Sequence, residues 1–76
     1  MRDLLTYIVK NLVDNPDEVR VDERETTSET IFEIHVDESD VGKVIGRQGR
    51  IVREIRVIMR SVAQRQGRRV TVDVAG

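Results

Sequence analysis

Apolar residues recur at helical spacing from Arg2 to about Asp14, at Leu4, Leu5, Ile8, Val9, Leu12 and Val13. This predicts an amphipathic helix that Asn15-Pro16 ends, because a residue before proline avoids the α region. Between Glu18 and Glu25 the period changes to two, with Val19 and Val21 on one face and Arg20 and Asp22 on the other, as in a half-buried strand. Thr26-Thr27-Ser28 reads as a loop, and Thr30 to Val36 alternates again, placing Phe32, Ile34 and Val36 inward and Glu33 and His35 outward. So short a connection predicts an antiparallel pair. Asp37 is placed to cap a short helix from about Glu38 to Ile45, and a longer one follows from about Arg50 to Gln66, stopped by Gly67. On a 100° wheel its core side takes Ile51, Val52, Ile55, Ile58, Met59, Val62 and Ala63, and its polar side takes Arg50, Arg53, Arg56, Arg60 and Gln64. Arg69 to Val74 closes the chain with a strand whose Val70, Val72 and Val74 face inward. Two helices intervene before it, so a right-handed crossover sets it parallel to the second strand. The expected fold is α+β in the order αββααβ: a three-stranded mixed sheet with three helices packed on one face.

With 76 residues, the chain is expected to form one domain spanning 1–76 and to bury roughly 60% of its unfolded surface. It has no cysteine, so disulfides and thiol chemistry are excluded, which fits a reducing cytoplasm. The longest uninterrupted apolar run, Val57-Ile58-Met59, falls far short of the ~20 residues a spanning helix needs, and Met1-Arg2-Asp3 does not begin a signal peptide. A cytoplasmic protein without a membrane span is expected.

The net charge of −1 hides a division. Residues 1–38 carry four basic against eleven acidic side chains, whereas residues 39–76 carry nine basic against three acidic. The molecule should therefore be electrostatically two-sided, with a cationic side suited to polyanions.

On that cationic side lies Val44-Ile45-Gly46-Arg47-Gln48-Gly49-Arg50-Ile51-Val52. Two glycines three apart let the chain turn sharply between helices with no Cβ in the way. The N–H groups opening the following helix, together with its dipole, favour phosphate, while Lys43, Arg47 and Arg50 add positive charge around the same spot. Such a site holds a backbone and does not read bases. A bare GxxG spacing is common by chance; its place between two predicted helices in the αββααβ order gives it weight.

The segment Val41-Gly42-Lys43-Val44-Ile45-Gly46-Arg47-Gln48-Gly49-Arg50-Ile51-Val52 in that context resembles a type II KH domain, the bacterial form of this RNA-binding fold. Leu12-Val13-Asp14-Asn15-Pro16-Asp17-Glu18-Val19 and Arg68-Arg69-Val70-Thr71-Val72 are similar to the small stand-alone bacterial KH proteins of the KhpA family. The resemblance covers essentially the whole chain. It implies a cleft gripping about four nucleotides of single-stranded RNA, with Gly46, Arg47, Gln48 and Gly49 on the phosphates and the bases toward the sheet. By the same likeness Lys43 and Arg50 line the loop, and Val41, Val44 and Val52 form part of an apolar floor for the bases. Homodimerisation, association with a KhpB-type KH protein, and post-transcriptional control linked to cell envelope growth and division are further implications. Glu54 departs from the family pattern by placing an acid one turn after Arg50, where many relatives have a small residue.

The stripe Arg53, Arg56 and Arg60 is expected to attract RNA mainly at long range, with Arg53, nearest the loop, counted among the RNA-contacting residues. Val57 is the lone apolar residue on that face and, with Arg60, marks a candidate dimer seam. The same face would be the working surface under the alternative reading, a protein interaction adaptor with residual RNA contact. His35, outward and with no cysteine near it, is expected to be a surface residue and not a metal ligand. The acidic run Asp14 to Glu25 is explained by a strand with a solvated face. No nucleophile and base stand in a recognisable arrangement, so neither catalysis nor a cofactor is expected. Tyr7 on the first helix and inward Phe32 are the two aromatic residues, which leaves no aromatic platform for bases.

Overall fold

The computed structural model describes residues 1–75. Helix α1 (Arg2–Lys10) is followed by strands β1 (Arg20–Glu25) and β2 (Glu29–His35), helices α2 (Val41–Ile45) and α3 (Arg50–Arg65), and strand β3 (Arg69–Val74). The sheet order is β1-β2-β3, antiparallel between β1 and β2 and parallel between β2 and β3. The αββααβ order and the mixed three-stranded sheet are those expected from the sequence.

The core joins Phe32 and Ile34 of β2 with Val21 of β1, Val72 of β3, Leu5 and Val9 of α1, Val44 of α2, and Ile55 and Met59 of α3. All three helices thus meet one face of the sheet. Across the register Val21 opposes Ile34, while Phe32 opposes Val72, so inward side chains of adjacent strands pack in rows.

Several boundaries differ from the expectation, each for a local reason. Helix α1 ends at Lys10 and not near Asp14: Asn11 donates its side-chain amide to the Tyr7 carbonyl at 2.7 Å, capping the C-terminus. The amides of Asp14 and Asn15 go to the Asp40 carboxylate. Pro16–Glu18 form a 3₁₀ turn, which delays β1 to Arg20 and leaves Val19 outside it. Asp37 caps as expected, accepting from the Ser39 N–H at 3.0 Å, but the segment it opens is a 3₁₀ turn, Glu38–Asp40, leading into α2. On α3, Val52, Ile55, Met59 and Ala63 are buried, whereas Ile58, expected in the core, is 45% exposed beside Val57 at 53%.

Candidate nucleic-acid interface

Helix α2 ends where the Gly46 N–H donates to the Gly42 carbonyl at 2.8 Å. Gly46 then adopts φ 77°, ψ 171°, a region essentially reserved for glycine. A Cβ there would lie 2.6 Å from Ile51 Cγ1 and 2.9 Å from the Ile51 amide nitrogen, so the absence of a side chain lets the end of α2 pass against the first turn of α3. Arg47–Gly49 make one 3₁₀ turn, closed by the Gly49 N–H on the Gly46 carbonyl at 3.1 Å. Gln48 (φ 58°, ψ 26°) and Gly49 (φ 74°, ψ 15°) are both left-handed.

This geometry alters which amides face outward. The N–H of Arg50, first in α3, donates to the Arg47 carbonyl and is not available to a ligand. Among the described residues, no loop, cap or side-chain hydrogen bond engages the N–H groups of Arg47 and Gln48. Consecutive amides presented by a turn form a concave seat for an anion. The side chains of Arg47 and Gln48 are exposed, and with Arg50 and Ile51 they line a concavity of about 370 Å³.

Two of the expected cations are already engaged. Arg53 Nη2 donates to the Gln48 carbonyl at 3.0 Å, bracing the left-handed turn from the next helical turn. Lys43 directs its ammonium to Asp14 Oδ2 at 3.0 Å and Asp40 Oδ1 at 3.4 Å. Its pKa is raised, first by the hydrogen bond to Asp14 and then by the charges of Asp14 and Asp40. Arg47 and Arg50 have no ion-pair partner among the described residues. The expected floor also changes: Val44 is wholly buried and Val52 nearly so at 7%, so they support a surface from beneath, and Val41 alone of the three is half-buried.

At the other end of α2 stands Asp40, fully buried. Its carboxylate accepts from the Asp14 N–H at 3.2 Å, the Asn15 N–H at 3.0 Å, Asn15 Nδ2 at 3.0 Å and Lys43 Nζ at 3.4 Å. Burial alone would raise its pKa, but these donors outweigh that effect and hold it below the usual aspartate value. Periodicity gave no hint of this cluster, which joins residues 25 and 26 positions apart.

A separate groove lies between α3 and β3, the outer strand of the sheet. Arg69 and Ala75 donate their N–H groups to Ser28 and Ile34 of the neighbouring segment at 3.3 and 2.9 Å. By strand alternation, Val70, Val72 and Val74 turn their main-chain groups to the open edge. Arg56 crosses to that edge, donating Nε–H to the Val72 carbonyl at 2.8 Å. Arg56, Arg60 and Val70 to Asp73 line about 260 Å³ of groove.

On the opposite, open face of the sheet, His35 is not alone: its Nε2 lies 3.0 Å from Asp22 Oδ2 and 2.8 Å from Glu33 Oε1. The antiparallel register, which pairs Asp22 with Glu33 two residues from His35, brings these groups together. The Arg20 guanidinium contacts the same Asp22 at 3.1 Å, so this acidic cluster is already served by a cation.

A βααβ core with a glycine-bracketed corner between its two helices, preceded by a helix and an antiparallel edge strand, defines a KH domain of the type II order. The description "KhpA/KhpB, KH domain" matches residues 2–74, and the chain belongs to that family. Similar proteins include "RNA-binding protein KhpA" of Chlamydia pneumoniae, 45% identical over 74 residues, 97% of this chain and 95% of the relative. The proteins of the same description from Borreliella burgdorferi and Clostridium acetobutylicum are 46% and 45% identical, covering 95% and 97% of this chain and 88% and 99% of the relatives. In structure the chain resembles part of Era from Aquifex aeolicus, with a TM-score of 0.70 at 21% identity, over 95% of this chain and 28% of Era, a likeness of fold alone. No helix of the described residues is long and apolar enough to cross a membrane.

Proposed function

We propose that this protein binds short stretches of single-stranded RNA, about four nucleotides per copy, by seating phosphates on the Gly46–Gly49 corner and laying the bases along the α3–β3 groove toward the sheet. The observation that carries this reading is the concavity at the glycine corner, lined by Arg47, Gln48, Arg50 and Ile51, where the guanidiniums of Arg47 and Arg50 have no ion-pair partner among the described residues and no loop, cap or side-chain bond engages the Arg47 and Gln48 amides. Membership of the KhpA/KhpB family, whose curated relatives carry the name RNA-binding protein, supports it. Lys43 and Arg53 act chiefly as supports of the corner, since their cationic groups already hold protein oxygens.

Replacing Arg47 and Gln48 together by Asp tests the reading. Both side chains are exposed, so the fold persists, while two negative charges beside the seat abolish measurable RNA binding in an anisotropy titration. Unchanged affinity would sink the proposal. Neutralising two or three phosphates also predicts a log–log salt slope of about −1.4 to −2, at roughly −0.7 per contact on single strands.

One copy offers few contacts, so avidity from a second module is part of this reading. Adjacent exposed Val57 and Ile58 on α3 favour self-association through that helix, beside Arg60. Sedimentation should show a dimer in the wild type and a monomer after Ile58→Asp. A KhpB-type KH protein is the second candidate partner for the same surface. We place the protein's work in cytoplasmic post-transcriptional control.

A further inference from the structure

Arg56 differs from the other arginines of α3 in how its guanidinium is held. Its Nε–H is committed to the Val72 carbonyl at 2.8 Å, and Nη2 lies 3.8 Å from Asp73 Oδ1. One edge of the planar group is therefore turned into the β3 edge, between a carbonyl oxygen and a carboxylate. That surrounding is poor for a phosphate, because the nearest protein atoms are themselves negative. The flat faces are not committed in this way, and the side chain remains 44% exposed in the groove between α3 and β3.

We infer that Arg56 is a stacking platform for one nucleobase, a base-binding subsite beyond the phosphate seat. The inference rests on the RNA-binding reading above and assigns a second contact within it. Bases stack on guanidinium planes as well as on aromatic rings. No aromatic side chain serves here: Phe32 is fully buried, and Tyr7 sits on α1, which packs by β1 at the opposite edge of the sheet. Arg56 lies six residues after Arg50, about 9 Å along the helix at about 1.5 Å per residue, so a strand anchored at the corner and running along the groove meets it. The Nε–H bond fixes the plane before any ligand arrives, which lowers the ordering penalty of stacking.

Arg56→Lys keeps the charge and removes the plane. The probes are an end-labelled oligouridylate and the matching abasic sugar–phosphate oligomer, titrated against wild type and R56K by anisotropy, with thermal melts confirming that both proteins are folded. Wild type should prefer the base-bearing oligomer by on the order of tenfold, the scale of one stacked base. R56K should lose most of that preference while holding the abasic oligomer as wild type does. An R56K protein that retains the full preference, or that weakens equally on both oligomers, overturns the stacking assignment and leaves the phosphate seat intact. Failure of the wild type to bind either oligomer overturns both readings together.

Discussion

The two ends of α2 lie only six residues apart and are built on opposite plans. At Asp40 a buried carboxylate is surrounded by donors from Asp14, Asn15 and Lys43, and its hydrogen-bonding capacity is filled. At Gly46–Gly49 the chain turns through positive φ at Gly46, Gln48 and Gly49, and no loop, cap or side-chain bond engages the Arg47 and Gln48 amides. A short helix of five residues has little rigidity of its own, so the filled end anchors what the open end presents.

Breaking the open end at its tightest point gives the largest effect. Gly46→Ala should destabilise the domain by on the order of 3 kcal/mol, adding glycine-only backbone strain to a clash with Ile51. Chemical denaturation measures it, and a loss under about 1 kcal/mol would show that the corner relaxes freely. Next comes the closed end. Asp40→Ala leaves buried donors without an acceptor and should lower Tm by about 10 °C. The pH dependence follows the sign of the shift. Because the folded carboxyl titrates below its ordinary value near 3.8, its contribution is complete above that value and disappears as pH falls through the folded pKa. Asp40→Asn should flatten that acid limb of the stability curve, and an unchanged limb would assign acid unfolding to other carboxylates.

Gly49→Ala should have a smaller effect, about 1 kcal/mol, since its cost is left-handed backbone with no neighbour within 4 Å of the new Cβ. A penalty equal to that of Gly46→Ala would erase the distinction between the two glycines. The gentlest probe changes no residue: amide exchange should be fast at Arg47 and Gln48 and slow at Asn15, whose N–H is held by Asp40 at 3.0 Å. Equal rates would mean that the two ends share one dynamic character.

Periodicity captured what is periodic. The alternation through Phe32 and Ile34, the helical repeat through Ile55 and Met59, and the glycine spacing of the corner all carried into the structure. The α3 wheel erred at Ile58 because a three-stranded sheet receives only a narrow stripe, Val52, Ile55, Met59 and Ala63, and Ile58 stands about 100° around the helix from Met59. Val44 shows a different limit. Family likeness assigns a position in the motif, whereas exposure depends on how closely α2 approaches the core, and Val44 is sealed there. Asp40 was invisible for a third reason: its partners are main-chain amides 25 and 26 residues away, and side-chain patterns carry no record of such bonds. The pertinent clue was Asn15-Pro16, a chain exit whose preceding amides need an acceptor.

The bond from Arg53 to the Gln48 carbonyl sets the sense of one peptide group. With its oxygen drawn toward a guanidinium, that unit cannot flip without losing a charged partner, and its hydrogen side stays turned the other way. Both poles of that peptide are engaged, its oxygen by Arg53 and its Gly49 N–H by the Gly46 carbonyl, so the shape of the corner is decided during folding and does not wait for a ligand.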